Sequence, residues 1–199
     1  MFKSTYFFRI LFFLLFFSAL SKPNIYGQCN TVDPIPLVSA TFNGLTTSSS
    51  SAGVCNPLLG CVISNVSALI DADLTNFATA STTLGAGVTH NLRVTDDNTV
   101  YASGTFAGYR IAPSGGLLSL DLLNGISIKT YLGGVLKETH TGSALVSLNL
   151  LSNPGNFLVG FNSNQSFDAI EISIGSLLGV SASTAVYYPV IVNYCAGPQ

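Results

Sequence analysis

Side chains able to attack a substrate, shuttle protons or grip a cation are sparse in these 199 residues, which hold two histidines, nine carboxylates and four cysteines. Hydrolysis needs a nucleophile, a base and an orienting group in one cleft, or two carboxylates of distinct protonation. Neither a Gly-x-Ser-x-Gly elbow nor an HExxH pair occurs. His90 alternates with Val88, Leu92 and Val94, which makes it a packed or rim histidine, and His140 falls in an exposed hairpin strand. Asp168 and Glu171 flank an alternating run whose Ile170, Ile172 and Ile174 point inward, leaving Glu171 toward water. No enzyme is expected, and a secreted hydrolase ranks last among the readings. Sugar binding asks instead for rings that stack on sugar faces beside a few planar polar groups. The chain has no Trp, so Tyr101, Tyr109 and Tyr131 are the candidates, with Arg110 and Asn91 as polar neighbours. Half-buried strand packing is the competing role of each tyrosine.

Lys3 and Arg9 precede the apolar run Ile10 to Leu20, and a turn-prone segment, Ser21 to Gly27, follows. A permanent membrane helix needs roughly 20 apolar residues, so residues 1–27 read as an export signal cleaved after Gly27. Gln28 would then lead the mature chain, and Cys29, being second, would carry no lipid anchor. In an exported chain Cys29, Cys55, Cys61 and Cys195 read as two disulfides, for which three pairings exist. Cys55 with Cys61, around Asn-Pro-Leu-Leu-Gly, and Cys29 with Cys195, tying the chain ends, are the expected pairs. The mature chain keeps Arg93, Arg110, Lys129 and Lys137 against nine acids, a net charge of −5. So few cations supply neither the phosphate contacts of nucleic-acid binding nor a basic patch for anionic lipid. Only 8% of the sequence is charged, well below the usual value of about 25%. A secreted or cell-surface location follows.

Runs rich in Val, Ile, Thr, Tyr and Phe recur between Gly, Asn and Ser clusters, with no long helical period. The clearest signal is a hairpin, Ile126 to Leu132 and Val135 to Thr141 about Gly133-Gly134, pairing Leu132 with Val135, Tyr131 with Leu136 and Lys129 with Glu138. Ile126, Ile128, Leu132 and Val135 would face the core, and Ser127, Lys129, Glu138 and His140 water. A second hairpin is expected at Val88 to Val94 and Thr99 onward, turning at Asp96-Asp97-Asn98. Further strands are expected at Leu37 to Phe42, Thr105 to Ile111, Leu117 to Leu122, Leu145 to Leu150, Phe157 to Phe161, Ala169 to Ile174 and Ala185 to Tyr194. Pro189 places the last at an edge or a bulge. Leu118 to Leu123 echoes Val146 to Leu151, as two similar sandwich elements would, and Thr46 to Gly53 reads as a flexible loop. The fold class is all-β, an antiparallel jelly-roll β-sandwich, with an immunoglobulin-like sandwich as the alternative. Residues 28–54 form an N-terminal strand and Ser/Thr-rich loop, and 55–199 the sandwich domain.

The segment Asn65 to Thr79, with Asp71, Asp73, Thr75, Asn76 and Phe77, resembles the early loop of discoidin-like, galactose-binding-like modules. That resemblance implies a structural calcium ion held by Asp71, Asp73, Thr75 and Asn76, since calcium takes clustered carboxylate, hydroxyl and carbonyl oxygens. Ala72 and Phe77 stand where that family often has Gly and Trp. The wider run from Cys55 to Tyr194 is similar to domains in surface proteins of gliding bacteria with type IX export, which are usually adhesive. The implied function is a secreted, non-enzymatic adhesion or glycan-binding module whose partner is a surface glycan or an extracellular protein. The alternative is a structural subunit that self-associates into a filament or matrix through strand edges such as Ala185 to Tyr194.

Overall fold

In the computed structural model the chain divides into Met1–Thr31 and Val32–Gln199. The residues described, 34–55, 60–83, 85–149, 155–175 and 182–192, all belong to the second unit. The export signal, Cys29 and Cys195 lie outside them. No helix among the described residues is long and apolar enough to cross a membrane.

Among the described residues twelve strands and one short α-helix follow in order, with 3-10 turns at Val66–Leu69 and Gly142–Ala144: β1 (Ile35–Pro36), β2 (Leu45–Cys55), β3 (Cys61–Ser64), β4 (Ala78–Thr82), β5 (Gly85–Asp96), β6 (Phe106–Pro113), α1 (Leu120–Asn124), β7 (Ile126–Leu132), β8 (Val135–Thr141), β9 (Val146–Asn149), β10 (Phe157–Asn162), β11 (Ala169–Gly175) and β12 (Ala182–Val192). They build two antiparallel sheets of a jelly-roll sandwich. One runs β3-β4-β12-β6-β10-β9 with β1 also on β12, and the other β2-β5-β11-β7-β8. Between them lie the alternate apolar residues of facing strands, among them Leu92 and Val94, Ile126 and Ile128, Ile170 and Ile172, and Ile111 and Val186, each at most 1% exposed. Period-two alternation makes each strand bury one face against the other sheet. Tyr109 is wholly buried between the layers, and its hydroxyl donates to the carbonyls of Ile170 (2.8 Å) and Leu92 (3.3 Å) across the sandwich.

Gly133 and Gly134, at φ +57° and +77°, turn the β7–β8 hairpin as expected, pairing Leu132 with Val135 and Tyr131 with Leu136. A bulge between Thr130 and Tyr131 then shifts the ladder, so Glu138 faces Thr130, and Lys129 faces Thr139 instead of Glu138. Glu138 and His140 therefore share the inward side with Thr130 and Ile128, while Val135, at the turn, is 60% exposed. Asp96 does turn the chain, accepting from the Asn98 and Thr99 N–H groups, yet β5 pairs with β2 and β11 and no strand returns from Thr99. Thr46 to Gly53 lies in strand β2, because ladder bonds to β5 supply the backbone partners that its hydroxyl-rich composition does not signal. Leu37 to Phe42 is a turn closed by Phe42 N–H to Val38 C=O, preceded by the two-residue β1. Leu117 to Leu122 leads into α1, where the Ser119 hydroxyl accepts from Leu122 N–H and caps the helix. Its echo, Val146 to Asn149, is a strand, so the similarity in sequence marks no repeated element. β12 lies inside its sheet, flanked by β6 on one side and by β4 and β1 on the other, and Pro189 follows a bulge between Val186 and Tyr188. The stretch expected as a free edge therefore has strand neighbours on both sides.

Candidate functional site

The bulge in β12 sets the candidate site. It inserts Tyr187 between Val186, which points into the core, and Tyr188, which lies opposite Arg110 of β6 on the outer surface of the seven-stranded sheet. Alternation sends Tyr109 inward and Arg110 outward. Arg110 Nη1 donates to the Tyr188 hydroxyl at 2.7 Å, and its guanidinium carbon lies 5.2 Å from the Tyr187 ring centroid and 5.7 Å from that of Tyr188. Arg110 Nε is buried without an acceptor. Phe77, 40% exposed, packs its ring 5.3 Å from Tyr187 at 58°. Phe77 thus packs on Tyr187, and Tyr187 lies beside the Arg110 guanidinium; a part-exposed ring next to a planar cation is chemistry that receives the apolar face and hydroxyl rim of a sugar. Beside it, Phe106, Leu158, Tyr188, Val190 and Val192 form an apolar cluster with Val38.

Phe77 is held by the loop that precedes it. Asn65, left-handed at φ 56°, donates its amide to the Phe77 carbonyl at 2.9 Å and closes the segment. Inside, the Asp71 carboxylate accepts from Asp73 N–H (3.0 Å) and the Asn76 amide (2.7 Å), and Asp73 accepts from Thr75 N–H (2.9 Å) and hydroxyl (2.6 Å). The Thr75 hydroxyl, followed by the Thr75 N–H, holds the exposed Asp73 carboxyl below the usual carboxylate range. Asn76 Oδ1 is buried with no partner. Two carboxylates, a hydroxyl and an orphaned amide oxygen within six residues suit a hard cation by donor type. Among the described residues no group of three or more His, Cys, Asp or Glu gathers to hold a metal.

Asn91 and Tyr131 sit on the opposite surface, the outer face of the five-stranded sheet, in a closed network. Glu171 accepts from Arg93 Nε (2.9 Å) and Nη2 (2.8 Å), Lys129 Nζ (2.9 Å) and the Tyr131 hydroxyl (3.2 Å). Lys129 also donates to Ser173, Ser173 to Asn91, and the Asn91 amide to Ser50. Arg93 stacks 3.6 Å above the Tyr131 ring. Glu171 is only 7% exposed, although its alternation faces solvent, because these long side chains close over it. Burial alone would raise its pKa, but Lys129 and Arg93 outweigh that and hold it below the usual range. With its groups paired and Tyr131 8% exposed, this surface is built for cohesion.

Tyr101 and Tyr109 are core residues. The Tyr101 hydroxyl donates to Asp96 at 2.6 Å, its ring packs on Phe167 and Phe42, and burial followed by Asp96 pushes its pKa up. Tyr101 does line a cleft of about 850 Å³ with Phe42, Val100, Ser103, Ile35 and Ile191, where no charged group lines the walls among the described residues. His90, 2% exposed, bridges the sheets between Ser51 Oγ on Nδ1 (2.8 Å) and Thr82 Oγ1 on Nε2 (2.9 Å), and burial lowers its pKa. A threonine, not a carboxylate, stands behind the imidazole, so no imidazolium is stabilised there. Glu138 ties down the 163–165 loop, accepting from the Asn164 and Gln165 N–H groups and Ser163 Oγ, and His140 stacks on Phe161. Cys61 is disulfide-bonded; the Cys55 side chain, Cys29 and Cys195 lie outside the described residues.

Of the sequence candidates, then, the structure brings Arg110 to a partly open surface, gathers Asp71, Asp73, Thr75 and Asn76 into one loop, and separates the three tyrosines. Tyr187 was missed, although Tyr-Tyr-Pro in a strand was a legible sign of a bulge.

Neither the protein-family models nor the curated protein sequences contain a match to this chain. Among solved structures it is similar to the C-terminal domain of a chitobiase from Bacteroides fragilis (10% identity, 81% of this chain and 100% of that chain, TM-score 0.44). It is also similar to a family 32 CBM from C. perfringens NanJ in complex with galactose (16%, 74% and 93%, 0.38) and to CBM32-3 from a family 31 glycoside hydrolase from Clostridium perfringens (15%, 76% and 92%, 0.41).

Proposed function

We propose that this chain is a non-enzymatic glycan-binding module that acts outside the cell, in adhesion at a surface, and that Phe77, Tyr187 and Arg110 form its contact. The observation that carries this reading is the part-exposed Phe77 ring packed on Tyr187, which in turn lies beside the Arg110 guanidinium. A sugar ring laid on Phe77 and Tyr187 would bury C–H faces on aromatic surface and offer hydroxyls to Arg110. Support for export comes from residues 1–27 and from the low charge. Ile35 pairs with Ile191, so the two ends of the described chain meet, as a Cys29–Cys195 bridge requires. In the same way, β2 ends at Cys55 and β3 begins at Cys61, close enough in sequence for a second bridge. The Asp71–Asn76 loop would take calcium through Asp71, Asp73, Thr75 and Asn76, and so stiffen the base on which Phe77 stands.

A glycan array probed with the purified protein, with and without a calcium chelator, tests this. A defined set of glycans should bind, Tyr187→Ala and Arg110→Gln should each weaken binding by about tenfold or more, the loss expected for one good contact of about 1.4 kcal/mol, and chelation should lower the melting temperature. A folded protein that binds no glycan, or binds unchanged with both substitutions, overturns the site.

A further inference from the structure

The borders of the two sheets are unevenly protected. A terminal strand shows unpaired N–H and C=O groups that template another strand, and chains blunt it by brevity, charge, proline or a bulge. The seven-stranded sheet ends on β3 and β9, four residues each. The five-stranded sheet ends on one side at β8, which carries Lys137, Glu138 and His140 and lies against the bulge at Thr130 and Tyr131. Its other border, β2, has none of these devices from Leu45 to Ala52. The strand is eleven residues long, LTTSSSSAGVC, without charge or proline, and its ladder with β5 first breaks between Ala52 and Val54. Thr46 and Ser48 to Ser51 are exposed.

We infer that the edge of β2, which pairs with no strand but β5 among the described residues, is a docking surface and that its occupant is a second copy of this chain, paired β2 to β2 about a two-fold axis. The strand is its own complement. Residues directly opposite in an antiparallel pair share a face, so Thr46, Ser48 and Ser50 of one copy meet the same three of the other, and hydroxyls bond across the seam. Neither copy carries a charged side chain on this strand, and Arg93, next to Ser48 on β5, is ion-paired with Glu171. The regular run Leu45–Ser51 overlaps over roughly 24 Å. Because the same edge serves both copies, association closes at two, and the five-stranded sheets join into one of ten.

Sedimentation of the full purified protein from about micromolar to millimolar concentration tests this, with the double variant Ser48→Lys/Ser50→Lys and a control on the other border, Thr139→Lys. The dimer fraction should rise with concentration, the double variant should raise the dissociation constant at least about tenfold, and the control should leave it unchanged. Hydrogen exchange of the wild-type amides at 45–51 should slow as concentration rises. A monomer at every concentration overturns the inference, as does an assembly growing past two or a dimer indifferent to the double variant. Should that variant not fold, exchange at 45–51 that is independent of concentration overturns it alone.

Discussion

Glu171 sits where alternation along β11 points to solvent, yet Lys129, Arg93 and Tyr131 enclose it. Replacing it by Gln keeps the shape and removes the charge that two cations share. The partners' side chains are 28% and 25% exposed, so solvent screens part of the loss. Glu171→Gln should cost about 2 kcal/mol, read as a drop in the urea midpoint at constant slope. Tyr109→Phe removes a hydroxyl that bonds two carbonyls of the facing sheet. About 1 kcal/mol should go with it, and the melting temperature should fall with no change in the far-ultraviolet spectrum. Neither residue's role was readable from its own position. Glu171 needed the register of β7 and β5, and Tyr109 needed to be known as a residue between layers, whereas any strand tyrosine reads equally as packing or contact.

At the scale of elements, β6 and β10 approach through Gly108 opposite Gly160. A Cβ on Gly160 would stand 2.6 Å from Gly108 Cα and from the Phe106 ring, and one on Gly108 would stand 2.7 Å from the Val159 carbonyl oxygen. Gly160→Ala should therefore destabilise by about 3 kcal/mol through forced separation of two central strands, visible as a lower melting temperature and faster exchange along β10. Strands with apolar alternation, such as β5, β7 and β11, were legible because burial of one face writes a period of two into the sequence. β2 was not, since an edge strand of Ser and Thr buries little and owes its shape to a ladder with β5, 39 residues away between Ser51 and His90. α1 was not, since its five residues are too few to show a helical period. For the site, Arg110 and the Asp71–Asn76 loop were visible as chemistry in the sequence. The partnership of Phe77 with Tyr187 was not, because it depends on one inserted residue in β12.

For the whole molecule, stability should track pH in two steps. Burial lowers the pKa of His90 in the folded protein, so below the ordinary imidazole value of 6.5 the unfolded chain binds the extra proton first and stability declines as pH falls. Glu171 is held below 4.5 once burial is outweighed by Lys129 and Arg93, so its contribution is complete above 4.5 and drains away beneath it. Urea midpoints across about pH 2 to 8 should show both limbs, and His90→Gln should flatten the upper one alone. A different consequence follows from β1 lying antiparallel on β12 with Ile35 opposite Ile191. Entry to β1 and exit from β12 therefore share one pole of the described sandwich, so force applied there between Ile35 and Val192 would unzip β1 from β12 one bond at a time instead of shearing the whole ladder at once.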